Sequence, residues 1–450
     1  MSRPGPAALA RRPPAGAPAP GDSIDRIGIL AGGGRLPLML AESVTARRGA
    51  VHIVGIEGEA DAAISRFPHT WVNWGQIGRM VATLRSEGGG RMVIAGGVRR
   101  PDLWKLRPDW GFFRTLPLIL GMLRGGDDSV LSRVVRFFEA NGLEVHGAHD
   151  VAPELLVEGA RLGAVGLDGE SRTDAELGFA VRAALGPLDA GQAVVAAGGK
   201  VLAIEGAEGT DAMLARVAAM RGERPGDGRS GVLAKGPKPG QELRVDMPAI
   251  GPRTVEQVAS AGLAGMALES GAVLLLDRGN AVSAADSLDL ALEGLPRSLA
   301  PAGTRVTTAA GPARILGRLR PSPRDAVDIE KGLAAMERLA AFGTGHAVVV
   351  ARAYILAIAA GESMLAMLER THALRQWGIG ARRRIGVLVC RADSLEDGKA
   401  NPATLFDYAA AQGLAGVAAI GSPEALAAFA ETAHRADAQG LFLVAHGERP

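Results

Sequence analysis

The chain has 450 residues, of which 47% are hydrophobic and 22% charged, and its formal charge is only +2. That length suits about three domains, and the balance suits a core-forming globular protein. Near-neutral charge and 4% aromatic content argue against a nucleic-acid binder, which needs a basic surface and, for single strands, stacking platforms.

Residues 1–23, rich in Pro, Ala and Gly, read as a disordered tail; they carry arginines but no apolar h-region, so they do not form a secretory signal. A first domain is expected over 24–155. Its opening, RIGILAGGGRLPLMLAESVTARRG, is an apolar run, a glycine cluster, then helical spacing. AVHIVGIEG reads as a second strand, and GRMVIAGGVRRPD repeats the strand-to-double-glycine design near residue 95. Strands alternating with helices predict a parallel, doubly wound sheet, with ligands beyond the carboxyl ends of its strands. Those ends fall at Gly32, Gly33 and Gly34 and at Gly96 and Gly97.

Consecutive glycines between strand and helix expose backbone N–H groups to an anion. The first cluster lacks both the P-loop Lys-Ser/Thr and the dinucleotide spacing, so alone it is equally a tight turn. A second such turn, with Arg99 and Arg100 beside it, favours a phosphate-bearing ligand. Residues 103–142 carry four of the ten phenylalanines, mixed with Trp and Arg. They read either as helices packed on the sheet or as an apolar wall, including Trp104, Trp110, Phe112 and Phe113, for a nonpolar ligand tail. RGGDDSVLSRV reads as a helix start with Asp127 or Asp128 as cap, and His146 and His149 as solvated loop histidines.

A second domain is expected over 160–297. GQAVVAAGGKVLAIEGAEGTDAMLARV (191–217) reads as strand, hairpin, strand, and a helix opening on a Thr-Asp cap. Residues 345–371 align with it without gaps at an offset of 154, with thirteen of twenty-seven positions identical. Upstream, Asp174, Glu176 and Gly178 meet Asp328, Glu330 and Gly332; downstream, GVLAK meets GVLVC and GLAGMA meets GLAGVA. Residues 314–450 are therefore a diverged copy of the second domain, joined by a linker over 298–313.

Apolar positions survive in the copy and polar ones are expected to be lost: Glu205 becomes Ala359, Thr210 becomes Met364, and Asp211 becomes Leu365. The loop KGPKPGQELRVDMPAIG has no counterpart there. Thr210 and Asp211 are thus candidates for ligand contact as well as for a helix cap. In the loop, Lys235, Lys238 and Arg244 can neutralise phosphates around Asp246, a carboxylate able to hold Mg²⁺ or orient a water toward phosphorus.

One cysteine, Cys390, excludes an intramolecular disulfide and points to a reducing compartment. Apolar runs such as HAVVVARAYILAIAAG are broken by Arg352 and too short to span a bilayer. The expected location is the cytoplasm, with peripheral contact at the inner membrane face left open.

From IGILAGGGRLP through AGGVRRPD, GDDSVLSRVV, GAHD, EGTDAMLARV and VLAKGPKPGQELRVDMPAIGPRTV, the chain resembles the LpxI-type UDP-2,3-diacylglucosamine pyrophosphatases. The resemblance covers roughly residues 24–295. It implies a Rossmann-like N-terminal domain and an α/β C-terminal domain, with lipid product held between them. It further implies Mg²⁺-dependent hydrolysis of UDP-2,3-diacylglucosamine to 2,3-diacylglucosamine 1-phosphate (lipid X) and UMP, in lipid A synthesis. The aspartate of its R-V-D-x-P motif is Asp246 here, with water attacking the sugar-side phosphorus. Substrate contacts are implied at Gly32, Gly33, Gly34, Leu36, Gly96, Gly97, Arg99, Thr210, Asp211, Lys235, Lys238 and Arg244. The tail and residues 298–450 depart from the family, so monomer and homodimer both stay open. A nucleotide-sugar or lipid-phosphate binding protein without turnover is the rival reading.

Overall fold

In the computed structural model, the described residues are 26–98, 109, 127–222, 228–296, 310–375, 384–395 and 401–448. The tail, Arg99, Arg100 and the aromatic residues 104, 110, 112 and 113 lie outside them. The chain divides into two compact units, one holding residues 26–98, 109 and 138–146 and the other 127–137 and 147–448.

The first unit is a parallel sheet built from β1 (Arg26–Ala31), β2 (Ala50–Ile56), β3 (His69–Val72), β4 (Arg91–Ala95) and β5 (Glu144–His146), in the order β3-β2-β1-β4-β5. The central strands β1 and β2 are apolar runs buried along nearly their whole length, as expected where helices cover both faces. Helices α1 (Leu36–Ala46) and α2 (Ile77–Glu87) pack on β1 and β2. The order reverses between β1 and β4, which pair in register from Gly28↔Met92 to Ala31↔Ala95. Both glycine turns therefore leave the sheet side by side, at the switch point where doubly wound sheets bind ligands. Helix α3 covers Asp127–Ala140.

The second unit contains the same arrangement twice. In the first copy, helix α4 (Gly169–Leu185) precedes the hairpin of β6 (Ala193–Ala197) and β7 (Lys200–Ile204). Helix α5 (Gly209–Gly222), strand β8 (Val232–Lys235), the short strand β9 (Ala249–Ile250), α6 (Pro252–Ser260), β10 (Gly265–Glu269), the short β11 (Leu274–Leu275), α7 (Arg278–Ser287) and β12 (Ala291–Leu295) follow. The main sheet runs β12-β10-β8-β6-β7. In the second copy, β13 (Ala310–Ile315) and α8 (Pro323–Ala340) lead into the hairpin of β14 (Ala347–Ala351) and β15 (Tyr354–Ala359). Helix α9 (Met364–Arg375), β16 (Val387–Arg391), α10 (Pro402–Ala411), β17 (Gly416–Gly421) and β18 (Phe442–Glu448) complete a sheet ordered β13-β18-β17-β16-β14-β15. Apart from the added edge strand β13, the two sheets share order and direction.

The copies are related by a local pseudo-two-fold. Ala207 N–H donates to Leu356 C=O (3.0 Å), and Gly361 N–H donates to Leu202 C=O (2.9 Å). Each partner is shifted by 154 residues, so the two bonds are mirror roles of one contact. One continuous core joins α4, β6 and β7 to α8 and the second sheet, with Val181, Leu185, Ile204, Leu333, Met336 and Ile358 all buried in it. Separate cores lie on the outer face of each sheet.

Four charges sit at this junction. Arg216 pairs with Glu208 (2.6 Å) and Glu362 (3.2 Å), while Arg370 pairs with Glu362 (2.6 Å) and Glu208 (3.2 Å). These are identical residues at the 154-residue offset, which corrects the expectation that polar positions are lost from the copy. Buried ion pairs of this kind need every partner in place, so both halves of the junction keep both charges. His146 also differs from its reading as a solvated residue. It belongs to β5 and is buried, 3.3 Å from Glu144, because the parallel strand continues through it.

Candidate active site

In the first copy, β8 is buried at all four of its residues and ends on Lys235, so the lysine is carried into the protein as part of the strand. Its Nζ donates to Thr210 Oγ1 (2.8 Å), and that hydroxyl donates to Glu205 Oε2 (3.0 Å). Glu205 and Lys235 are only 7% and 6% exposed. Burial pushes the Glu205 carboxyl above its ordinary range and the Lys235 ammonium below its own, each opposed by the other's charge. Asp211 and Asp246 both lie within the field of that ammonium.

Thr210 is therefore not the helix cap read from the sequence. Helix α5 begins at Gly209, which takes φ +81°, and the Thr210 hydroxyl turns back to Glu205. Asp211, in the same first turn, pairs with the exposed Arg253 at 3.3 Å.

The loop between β8 and β9 carries Asp246. Its amide donates to Glu242 C=O (3.0 Å), and Gln241 Nε2 donates to its Oδ2 (2.5 Å). Gln241 is itself buried and bonded to the Lys238 amide through Oε1 (2.9 Å). Beyond Asp246, Pro248 C=O accepts from the Leu274 amide (2.8 Å) where β9 pairs with β11. Two of the flanking cations have acidic partners in the protein. Arg244 forks onto both oxygens of Glu242 (2.8 Å each), and Lys238 Nζ contacts Asp189 Oδ1. Lys235 and Thr210 are in contact, with Asp211 and Asp246 in the field of the ammonium, while Lys238 and Arg244 are engaged by Asp189 and Glu242.

In the first unit, the glycine turns bond to one another. Gly33 N–H donates to Gly97 C=O (2.7 Å), Gly97 N–H returns to Gly33 C=O (3.1 Å), and Gly32 N–H donates to Ala95 C=O (2.8 Å). The glycines then serve two purposes. A Cβ on Gly32 would lie 2.5 Å from Gly97 O, so Gly32 permits the turns to touch; Gly34, at φ +91°, has nothing within 4 Å of that position and leaves open approach to the backbone before Leu36. Leu36 opens α1, where Pro37 sits in the first turn and no side chain caps the amides.

The family model described as the LpxI N-terminal domain matches residues 26–155, and that of the LpxI C-terminal domain matches twice, at 159–293 and 312–444. The chain is also 42% identical over 274 residues to a protein named UDP-2,3-diacylglucosamine pyrophosphatase LpxI from Caulobacter vibrioides, covering 60% of this chain and 97% of that relative. The chain belongs to the LpxI family.

With two LpxI C-terminal domains in one chain, the site can be compared with its own duplicate. Where the first copy has Glu205, Thr210, Asp211 and Lys235, the second has Ala359, Met364, Leu365 and Cys390. Cys390 is fully buried and its thiol is pushed up to about 12. Sequence reasoning missed Gln241, Arg182 and Glu269. Arg182 and Glu269 form a buried ion pair (3.5 Å) beneath the root of the Asp246 loop. Their duplicates are Met336 and Ile420, so the same polar-to-apolar comparison could have found them. Gln241 lies in the loop without a duplicate, where that comparison is silent.

Among the described residues no helix is long and apolar enough to cross a membrane. Among them, too, no three His, Cys, Asp or Glu side chains converge on a common point suited to a metal.

Proposed function

We propose that the chain hydrolyses the pyrophosphate bond of UDP-2,3-diacylglucosamine, releasing UMP and 2,3-diacylglucosamine 1-phosphate (lipid X) for lipid A synthesis. The observation that carries this reading is the group of Asp246, Lys235, Thr210 and Asp211, present in one LpxI C-terminal domain and replaced by apolar residues or absent in the other. The activity named for the Caulobacter relative supports it.

In this reading the buried Lys235 ammonium receives a phosphate oxygen, and Thr210, whose own proton goes to Glu205, keeps the ammonium aimed. A cation held in a dry site by a fixed partner needs no reorganisation as charge develops, which is where electrostatic catalysis gains most. Asp246 orients the attacking water and takes its proton. The water oxygen bonds to the sugar-side phosphorus, the bond from that phosphorus to the bridging oxygen breaks, and UMP leaves with the bridging oxygen.

Asp246 presents a carboxylate whose Oδ2 is steadied by Gln241, a hard oxygen donor of the kind that suits magnesium. Asp246 would hold it, and the ion when bound neutralises charge on the phosphoryl oxygens. The reaction is placed in the cytoplasm, with the substrate drawn from the inner face of the membrane.

The test is a radiolabelled substrate assay on the full chain. Wild type is expected to release UMP and lipid X, with turnover lost on chelation, and Asp246→Ala is expected to lower kcat by about a hundredfold or more. In H₂¹⁸O the label should enter lipid X rather than UMP. Binding without any UMP release would make the chain a nucleotide-sugar binding protein instead, and full turnover by Asp246→Ala would remove the aspartate from the mechanism.

A further inference from the structure

The Asp246 loop leaves the sheet over a buried ion pair that the proposed chemistry does not use. Arg182 donates from Nε to Gln192 C=O (3.0 Å) and from Nη2 to Pro237 C=O (2.9 Å), while Glu269 Oε2 lies 3.5 Å from both terminal nitrogens. Both side chains are under a tenth exposed. One guanidinium thus ties the start of β6 to the second residue of the loop, and the carboxylate holds the guanidinium. Gly236 lies directly on the pair: a Cβ there would come within 2.6 Å of Glu269 Oε2 and 2.7 Å of Arg182 Nη2. From this root the chain of contacts runs through the Lys238 amide and Gln241 to the Asp246 carboxylate.

The second copy shows the same fold without this clamp. Met336 and Ile420 stand where Arg182 and Glu269 do. Among the described residues, a cavity of about 60 Å³ there is lined by Leu333, Met336, Ala340, Arg391 and Ile420, among others. In the first copy the corresponding ground is filled by the loop, whose Pro239 ring presses on Gly186, the counterpart of Ala340. The clamp is therefore dispensable to the fold and is present only where the loop is seated.

We infer that Arg182, braced by Glu269, is a positioning residue that seats the root of the Asp246 loop and through it fixes where the carboxylate points. The inference rests on the hydrolase reading. A shift of about 1 Å in a catalytic group can cost on the order of a hundredfold in rate. Replacing a buried ion pair by apolar residues of similar volume is often neutral or stabilising. The two effects separate in one variant.

The experiment uses the full chain with Arg182→Met and Glu269→Ile together, the residues of the second copy. Melting temperature is expected to hold or rise and KM for UDP-2,3-diacylglucosamine to change less than threefold. The kcat is expected to fall at least tenfold. Without substrate, amide exchange across 238–247 is expected to speed up while the strands stay protected. Unchanged kcat, or unchanged exchange in the loop, overturns the inference. So does a rate loss accompanied by exchange throughout the sheet, since that is ordinary structural damage. Should the double variant not fold, Arg182→Lys keeps the charge but not the fork across two carbonyls; wild-type kcat in that variant would equally overturn it. The exchange readout needs no turnover, so a wild-type chain that fails to hydrolyse would sink the functional reading while leaving the seating of the loop separately decided.

Discussion

Asp174 and Asp328 perform the same task in the two copies. Asp174 accepts from the amides of Gly198 (3.1 Å) and Gly199 (2.8 Å), and Asp328 from those of Arg352 (3.0 Å) and Ala353 (2.6 Å), so each pins a hairpin turn to the helix before it. The Asp328 carboxyl is raised above its ordinary range, chiefly by burial, with the two amides working against the shift. A group raised in the fold contributes stability that is complete below its unfolded value, about 4, and lost as pH rises through the folded value. Asp328→Asn does not titrate. The unfolding free energy of wild type minus that of Asp328→Asn should therefore shrink as pH rises from about 4 towards neutrality. Urea unfolding at several pH values measures it, and a difference that grows over that range would contradict the assignment. At this scale much of the site was legible. Glu205, Thr210 and Asp211 stand out because their duplicates are apolar. Loss of polarity is not sufficient, however. Glu293, bonded to the Leu167 amide (2.8 Å) and Arg172 (2.8 Å), has Val444 as its duplicate and only anchors the chain before α4.

At the scale of elements, the hairpins separate the copies most clearly. The turn of β6 and β7 uses Gly198 (φ +58°) and Gly199 (φ +72°); that of β14 and β15 holds Arg352 (φ +55°) and Ala353 (φ +63°) in the same left-handed region. Two consecutive positive φ angles are the signature of the tight turn that matches strand twist, and they favour glycine or asparagine. A side chain there costs roughly 1–2 kcal/mol, part of which is recovered because glycine loses more entropy on folding. Ala353→Gly is expected to raise stability by about 0.5–1 kcal/mol, read as a higher urea midpoint; a lower midpoint would show that the alanine is not strained. Strands, hairpins and glycine turns were legible because each is written in a few consecutive residues. Arg182 and Glu269 each show singly as a polar residue with an apolar duplicate, but their pairing was not legible, since they are 87 positions apart and meet only after the sheet has formed. Of the two readings of Thr210, the cap fails for a related reason. Its helix start looks local, but its proton goes back across the loop to Glu205.

For the whole molecule, the shared core between α4 and α8 means that each copy covers an apolar face of the other. A chain ending near residue 300 would expose Val181, Leu185 and Ile204 with Glu208 and Arg216 beside them. Such a face is self-complementary, because the Ala207–Leu356 and Gly361–Leu202 bonds and the cluster of four charges each pair one residue with the equivalent of its partner. The truncated chain is expected to sediment as a homodimer while the full chain is smaller in subunit number. Residues 314–450 alone are expected to release no UMP, since the Asp246 loop is missing there and Lys235 and Thr210 are replaced by Cys390 and Met364. Equal subunit numbers for the two lengths, or hydrolysis by the isolated copy, would contradict these expectations. The duplication itself was legible from the ungapped 154-residue offset. Its junction was not, because Glu208 and Arg216 are matched charges among many matched residues and only their meeting with Glu362 and Arg370 shows their purpose.

That junction changes what a single mutation does. Across the axis of a true homodimer every substitution appears twice, so a reversed charge meets a second reversed charge and repairs or ruins the contact in one step. Here Glu208 and Glu362 are separate codons serving one cluster of four charges. Each can drift alone, and a change on one side can be answered by a different change on the other. Fusion thus frees the interface from the demand of matching itself, and the two halves can become a lock and a key where they began as two identical hands.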